Sequence, residues 1–368
     1  MIQQTVIQQT VIDKTVTQKT ANTRTVKAKE ATAARAIARL GAALALIGGL
    51  AGLGVAGAGA AGAGASRPTF VVGQQESGIV SLFKQSGALN GAAYNVKFAY
   101  FPYGPPLVQA AAAGQIDLGD VGDVPPINGA GKDPGFKVIA AEVPPSFKQV
   151  GDYIIVPKGS KIETLAELRG KTVGVPEGSS ANGFLLNAVR SVGLSPTTVK
   201  FVNLAPAALQ AAFASGDIDA AAFWNPQVTL DVENDGARIL ALGRPPLDPD
   251  VSFYVGADKD LTNPARRAML TDLLERLARA YQWGDNHPAI WTQDVEKETG
   301  ADAKSAAIDV ANGKILVRYI TPSIVSAEQT LANTFYQARQ ITKPVAVSSI
   351  IDNLLPADFT TASSAQSN

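Results

Sequence analysis

From Thr69 to Ala257 the chain alternates short apolar runs with helical segments of about ten residues, and few architectures accept that pattern. Strands are expected at 70–73, 96–101, 116–121, 136–143, 152–157, 171–176, 199–204, 218–224, 237–243 and 252–257. Strand, crossover helix and next strand in this rhythm build parallel sheets with helices on both faces. Beyond Asn263 no further strand is expected. The segments 264–284 and 326–340 instead carry apolar residues at three and four spacing, as amphipathic helices do.

The pattern also repeats at a coarser scale. Residues 110–126 align with 212–228 at an offset of 102, pairing Ala110, Ala112, Gly114, Ile116 and Asp117 with Ala212, Ala214, Gly216, Ile218 and Asp219. Each copy reads as helix, Gly cap, strand, loop, helix. Two similar α/β lobes explain the echo; coincidence in Ala-rich sequence is the alternative.

The same region holds Asp117, Asp120 and Asp123, spaced by three. A calcium loop places oxygens at alternate positions, which this spacing does not match. Asp117 falls where a helix hands over to a strand. Asp123 and its counterpart Asn225 each precede a helix with Pro near its first position, as N-caps do. Asp117 and Asp123 then lie at opposite ends of one strand, roughly 20 Å apart at about 3.3 Å per residue. Asp120 has no assigned role.

Ligands of parallel sheets bind beyond the C-terminal strand ends. The loops expected there are 73–78, 102–106, 121–126, 176–183, 203–206 and 224–227, rich in Gly, Ser, Asn and Pro and free of Lys and Arg. Most open into a helix, whose unpaired N–H groups favour an anion. Ser179 and Ser180 add hydroxyl donors; taken alone, they also read as an ordinary N-cap. Tyr103, Phe184, Trp224, Phe253 and Tyr254 lie in or beside these loops and could line an apolar slot or simply pack in the core.

Composition narrows the function further. There is no Cys, which removes disulfides, thiol nucleophiles and thiolate metal sites. Net charge is zero, yet residues 1–65 hold seven basic against two acidic residues, so the remainder carries an excess of five negative charges. An acidic body argues against nucleic acid as partner. Residues 1–26 repeat a five-residue Thr motif with no core-forming period and read as low complexity, even as sequence upstream of the true translation start. Residues 1–39 form this tract plus a basic segment. Residues 40–65 read as the apolar core and Ala63-Gly64-Ala65 cleavage site of a secretory signal, with Ser66 as the mature start. A retained membrane anchor is the rival reading.

Enzyme readings lack parts. The single histidine, His287, precedes Pro288 far along the chain and reads as a turn residue, so no Ser nucleophile has a base. No loop carries the lysine of a phosphate-cradling GxxxxGK[ST] motif. A carboxylate-pair enzyme would have to use Asp123, Glu76 or Glu177. An adhesion role for the Thr repeat would be lost on cleavage.

The loops together resemble the periplasmic substrate-binding proteins of ABC importers, specifically the aliphatic sulfonate-binding family, related to taurine- and nitrate-binding proteins. The resemblance runs from about Thr69 to about Phe359 and rests on IDLGDVGDVPPI, FPYGPP, PEGSSANGFLL, LAPAALQAAFASGDIDAAAFWNP and SFYVGA. It implies an α/β fold of type II: two doubly wound lobes joined by a two-strand hinge, with C-terminal helices. Lobe 1 would comprise 66–155 and 254–368, lobe 2 would comprise 156–253, and the crossovers would fall near 154–159 and 250–255. It implies a sulfonate head at the helix starts Ser77-Gly78, Gly104-Pro105 and Ser179-Ser180, flanked by Gln75 and the Gly122-Asp123 loop. Trp224, with Asn225 beside it, would pack on the ligand from the second lobe. Asn225-Pro226 stands where Asp-Pro is frequent, and Tyr103 where a small residue is common. The implied protein is an exported, periplasmic monomer that hands an aliphatic sulfonate, or alternatively taurine, nitrate or another small organic anion, to an inner-membrane permease, catalyses nothing and needs no metal or cofactor.

Overall fold

The structure, a computed structural model, describes residues 67–75, 78–130, 134–145 and 151–359. The Thr repeat, the basic segment and the expected signal all lie outside the described residues, as do Glu76 and Ser77.

Among the described residues eleven strands, numbered in chain order, form two mixed sheets. The first contains β1 (Thr69–Gln74), β2 (Asn95–Tyr100), β3 (Leu118–Gly122), β4 (Phe136–Val143), β10 (Ser252–Ala257) and β11 (Leu316–Arg318). Its order is β11-β4-β10-β3-β1-β2. The second contains β5 (Asp152–Val156), β6 (Thr172–Val175), β7 (Lys200–Asn203), β8 (Ala220–Trp224) and β9 (Arg238–Leu242), in the order β7-β6-β8-β5-β9. Read from β2, the first sheet runs β2-β1-β3-β10-β4, which matches the second sheet strand for strand. β1 is parallel to β2 and β3, as β6 is to β7 and β8. β10 is antiparallel to β3 and β4, as β5 is to β8 and β9.

β5 of the second sheet directly follows β4 of the first in sequence, and β10 of the first directly follows β9 of the second. The chain therefore crosses between Val143 and Asp152 and returns between Leu242 and Ser252. The first crossing comes earlier than the 154–159 that the resemblance implied, and 152–155 belong with the second sheet rather than the first lobe, because all of β5 pairs there.

The internal echo has an atomic basis. Helix α2 (Gly104–Ala112) and helix α5 (Pro206–Ser215) each end at a left-handed Gly, Gly114 at φ 65° and Gly216 at φ 76°. Glycine adopts that backbone without steric cost. The following N–H then closes the turn: Gln115 N donates to Ala110 O and Asp217 N to Ala212 O, both at 2.9 Å. The aspartate two residues on clasps the neighbouring strand. Asp117 N donates to Val71 O (2.8 Å) and Asp117 Oδ2 accepts from Val71 N (2.6 Å). Asp219 repeats both bonds with Thr172, at 2.9 and 2.8 Å.

Both sheets are covered on both faces. Leu270, Leu273, Leu274 and Leu277 of helix α8 (Pro264–Asn286) pack on Phe70, Leu118, Ile139 and Tyr254. Leu107 and Ala111 of α2 pack on Val121 and Phe253. In the second sheet, Phe184, Leu185 and Val189 of helix α4 (Ser180–Ser191) bury Val173, while Leu209 and Phe213 of α5 bury Phe223. Asn263 starts α8 by accepting from Ala265 N and Arg266 N ahead of Pro264.

Beyond Asn263 the sequence reading needs correction. A strand does follow, β11, but its three residues are too few to show a period of two. Helix α9 (Pro288–Thr299) and helix α10 (Ala303–Asn312) precede it, and helix α11 (Pro322–Gln337) follows. Leu331 and Phe335 of α11 pack against both Val124 and Leu186, so α11 touches helices belonging to both sheets.

Candidate functional site

The C-terminal strand ends of the two sheets face one cavity of about 210 Å³. Of the residues singled out in the sequence, Gln75, Gly104, Gly122, Asp123, Ser179, Ser180 and Trp224 line it. Gly78 and Asn225 line an adjoining apolar cavity of about 170 Å³, which shares Trp224 with the first. Pro105 lines neither, sitting beside Gly178 at the start of α2. Ser77 is outside the described residues.

The sheets approach closely where β3 ends. A Cβ on Gly122 would stand 2.8 Å from Ser180 Cβ, so only glycine lets the two surfaces meet there. Gln75 Nε2 donates to Asp120 O at 2.7 Å and fixes the loop after β1 against β3.

The helix starts are unequal as anion sites, which the sequence reading did not separate. Helix α2 begins Gly-Pro-Pro and helix α3 (Val124–Gly129) begins Val-Pro-Pro. Proline carries no N–H, so each of these two starts has lost two of the four donors an anion could use. Helix α4 begins Ser180-Ala181-Asn182, with no proline, and the N–H groups of Ser180 and Ala181 have no intrahelical acceptor. Of the helix starts that line this first cavity, that of α4 keeps its free N–H groups, while the start of helix α1 (Ile79–Ser86), equally without proline, opens on the adjoining cavity at Gly78.

Two side-chain expectations change. Ser179 is the N-cap of α4: its Oγ accepts from Asn182 N (3.3 Å) and donates to Pro176 O (2.7 Å). Its proton is committed to the backbone, while Ser180, which borders the cavity beside it, is hydrogen-bonded to Asp152. Asp123 stands at the N-cap position of α3, but its side chain makes no capping bond because its own backbone is helical, at φ −68° and ψ −39°. Asn225 does cap, accepting from Thr229 N (3.2 Å) and Thr229 Oγ1 (3.0 Å).

Of the five aromatics named from the sequence, only Trp224 reaches the cavity. Phe184, Phe253 and Tyr254 are buried in the core, and Tyr103 sits at the cap of α2. Tyr281 of α8 and Trp291 of α9 supply the other aromatic surface. They come from the C-terminal helices, where a helical apolar stripe hides any cleft-facing residue.

The largest surprise is charge. Asp120, Asp123, Glu142, Asp152, Asp248 and Asp250 all line the first cavity, against one cation, Lys314. Asp152 opens β5, opposite Trp224 of β8. Asp248 and Asp250 lie in the return crossing. Asp248 Oδ1 accepts from Asp250 N (2.8 Å), and Asp250 Oδ1 accepts from Gly151 N (3.2 Å), which joins the two crossings. A Cβ on Gly243 would stand 2.6 Å from Asp248 Oδ2 and 3.2 Å from Asp152 Cβ, so these two acids are neighbours. The acid-rich Leu-Asp-Pro-Asp run at 247–250 was the available signal, but a crossover segment carries no periodicity to mark which way its side chains face.

Burial raises the pKa of every one of these aspartates. Asp120 and Asp248 are pushed up to about 6, and Asp250 to about 7 with help from Asp248. Asp123 is driven well above the usual range by burial, then by Asp248 and Glu328. Asp152 follows through burial, then Asp248 and Asp123, with a hydrogen bond to Ser180 opposing.

The acids do not converge as a metal site: among the described residues no group of three or more His, Cys, Asp or Glu side chains is placed to hold a metal ion. His287 is a turn residue, as the sequence suggested, with Nδ1 2.7 Å from Trp283 O and its ring stacked on Trp283. Glu177 is exposed and accepts from Asn203 Nδ2, outside the cavity.

Known proteins give this geometry a context. A family model described as the periplasmic substrate-binding protein of a phosphonate ABC transporter matches residues 92–282. A relative from Escherichia coli (strain K12), named for binding aliphatic sulfonates, is 34% identical over 56% of this chain; the match spans 65% of that relative's length. Among solved structures, the alkanesulfonate-binding protein of Xanthomonas axonopodis pv. citri bound to MOPS superposes with a TM-score of 0.73. It is 26% identical, covering 78% of this chain and 99% of that one. A desulfurization enzyme shares the fold at 16% identity and a TM-score of 0.57, covering 78% of this chain and 97% of that one. The paired sheets are those of the periplasmic binding protein fold, and with just over half of its length matched this chain belongs to the family of periplasmic substrate-binding proteins of ABC transporters.

Proposed function

We propose that this protein captures an aliphatic sulfonate in the cavity between its two sheets and delivers it to an ABC importer. The observation that carries the reading is the start of α4: a proline-free helix N-terminus, with Ser180 beside it, opening into a cavity between two sheets. Unpaired N–H groups and the helix dipole suit a fixed monoanion. A sulfonate is such a group. A phosphonate can take a second negative charge, which the surrounding carboxylates would repel.

In this reading each sheet with its helices forms a lobe, and the lobes close by bending at the two crossings. Closure excludes water and strengthens dipole–anion contacts as the local dielectric falls. The site role of Gln75, Gly104, Gly122, Ser180 and Trp224 is to border the head group; Gly78 and Asn225 border the tail. Residues 40–65 serve as a cleaved signal, and the mature protein works in the periplasm as a monomer alongside an inner-membrane permease.

Catalysis is the second reading, because the fold also carries a desulfurization enzyme and carboxylates do gather in the cleft. An acid/base pair needs environments that push two pKa values apart. Here burial raises all of the cleft aspartates together, leaving no ionised partner favoured. That symmetry fits binding better.

A thermal-shift panel tests the proposal, since a ligand stabilises by mass action, about 2.7 kcal/mol at a hundred times Kd. Alkanesulfonates should raise Tm more than sulfate, nitrate or the matched phosphonates. A panel in which no sulfonate raises Tm would sink it.

A further inference from the structure

We propose that a hydrogen-bonded chain from Asp309 through Thr229 to Asn225 is a proton-gated latch, which holds the cleft shut while Asp309 carries a proton and loosens when that proton leaves. The latch shares with the binding reading the motion of two lobes, but it does not need a sulfonate to be what they hold.

The chain ties the two sheets together through their helices. Thr229 lies in the first turn of helix α6 (Gln227–Asp235), whose Val228 packs into the core of the second sheet. Asp309 lies in α10, whose Ala306 and Val310 pack into a core of the first. Thr229 is buried, and Asn225 and Asp309 border the adjoining cavity beside Trp224. A Lys304–Glu233 ion pair joins the same two helices at the surface, where such pairs add little. At Val124, Leu186, Leu331 and Phe335 the two sides meet through apolar side chains, which no proton affects. The contact of α6 with α10 is a polar one, and it lies next to a cavity.

Counting protons makes this contact a switch. Thr229 Oγ1 stands 3.0 Å from Asn225 Oδ1 and 3.1 Å from Asp309 Oδ1, and a hydroxyl has one proton to give. Asn225 Oδ1 only accepts; it also takes the Thr229 N–H at 3.2 Å, while Asn225 Nδ2 reaches Tyr153 Oη at 3.4 Å. With the Thr229 proton on Asn225, the second contact closes only when Asp309 is protonated and donates to Thr229 Oγ1. Asp309 Oδ2 is buried without a hydrogen-bond partner, so the ionised form would hold a carboxylate oxygen out of water uncompensated.

The charges around the latch are turned to other groups. Lys304 of α10 faces Glu233, Lys314 beyond it lies near Asp285, and Arg244 acts on Tyr153 and Asp250. Asp302 caps α10, Asp231 of α6 accepts from Gln227 Nε2 and is acted on by Asp235, and Asp294 of α9 faces Lys297. Asp120 and Tyr281 border the same cavity. Burial pushes Asp309 up to about 6, with the Thr229 hydrogen bond opposing. Opened to water, the same group titrates near 4. The closed form therefore binds the extra proton; its advantage is complete below pH 4 and is lost as pH rises through about 6. That difference lowers the ratio of closed to open molecules about tenfold between pH 5 and pH 8.

Spin-label distances in the ligand-free protein test the latch. The chain has no cysteine, so Asn234→Cys on α6 and Glu298→Cys on α9, both at exposed positions, give one label on each side of the contact. From pH 5 to pH 8 the ratio of short to long distances should fall about tenfold. Asp309→Asn, whose amide can donate to Thr229 Oγ1 at any pH, should keep the pH 5 ratio at pH 8. Thr229→Val should give the low ratio at both pH values, and Thr229→Ser, which keeps the hydroxyl, should follow the wild type; circular dichroism checks that each variant is folded. A ratio equal at the two pH values overturns the latch. So does an Asp309→Asn profile that still falls tenfold, which would place the proton on Asp120, Asp248 or Asp250. Neither result touches the sulfonate reading, which the ligand panel decides separately.

Discussion

The two ends of strand β3 carry the same residue in opposite circumstances. Asp117, at the outer end, is buried with Lys259, Arg266 and two backbone bonds to Val71. Burial works to raise its pKa, but hydrogen bonds from Asp260, Lys259 and Val71 prevail and it lies below the usual value. Asp123, at the cleft end, is as buried, yet burial, Asp248 and Glu328 drive its pKa far upward. The outer end is built for stability and the cleft end against it. Binding sites commonly hold such unsatisfied groups, because a ligand is what completes them.

One substitution placed at both ends should separate them. Asp117→Asn removes the charge that Lys259 and Arg266 face, and breaking a buried pair costs about 3–5 kcal/mol; urea unfolding should show a loss toward the lower end, because Lys259 is half exposed. Asp123→Asn at pH 8 should instead leave stability unchanged or raise it by about 1 kcal/mol, since burial already disfavours the carboxylate there and no cation pairs with it in the way Lys259 and Arg266 pair with Asp117. Equal losses at both positions would erase the contrast.

The pH profile sharpens it further. Unfolded aspartates titrate near 4. In the folded protein Asp120 and Asp248 stand at about 6 and Asp250 at about 7. Between those values the folded state holds more protons than the unfolded one, so stability falls as pH rises. The lowered groups Asp117 and Asp352 act the other way, and their contribution is lost only as pH falls below about 4. The ligand-free Tm should peak near pH 5 and decline by several degrees toward pH 8, at roughly 2–4 °C per kcal/mol. A flat or rising profile would contradict unsatisfied cleft acids.

The smallest effect belongs to the second sheet. Asp219 repeats the clasp on Thr172, but its side chain is 41% exposed and its cation, Lys171, stands 3.9 Å away. Asp219→Asn should cost no more than about 1 kcal/mol. A loss matching that of Asp117→Asn would mean that the backbone clasp, common to both, carries the stability rather than the ion pairs.

Much of this contrast was legible in the sequence, and part was hidden for a definite reason. The offset of 102 gave the paired sheets, because Gly114 and Gly216 must end their helices in a left-handed turn and Asp117 and Asp219 must then meet a neighbouring strand. Short apolar strands announced themselves. The site was visible where a strand runs out into a loop that opens a helix: Gln75, Gly104, Gly122, Asp123, Ser179, Ser180 and Trp224. Ser179 was assigned to ligand when its hydroxyl belongs to Pro176, a choice that spacing cannot make. Asp152, Asp248 and Tyr281 were missed because they reach the cleft from a strand start, a crossing and a long helix. Their convergence is a property of how the two sheets meet, and no local pattern encodes it.

The central claim is that the cavity takes a sulfonate, and titration calorimetry with a sulfonate and a phosphonate of identical carbon chain tests it most directly. The account predicts saturable one-site binding of the sulfonate, and at least about tenfold weaker binding of the phosphonate at pH 8, where the second charge meets the cleft carboxylates, a difference of about 1.4 kcal/mol. Tighter binding of the phosphonate, or no heat from the sulfonate, would contradict it.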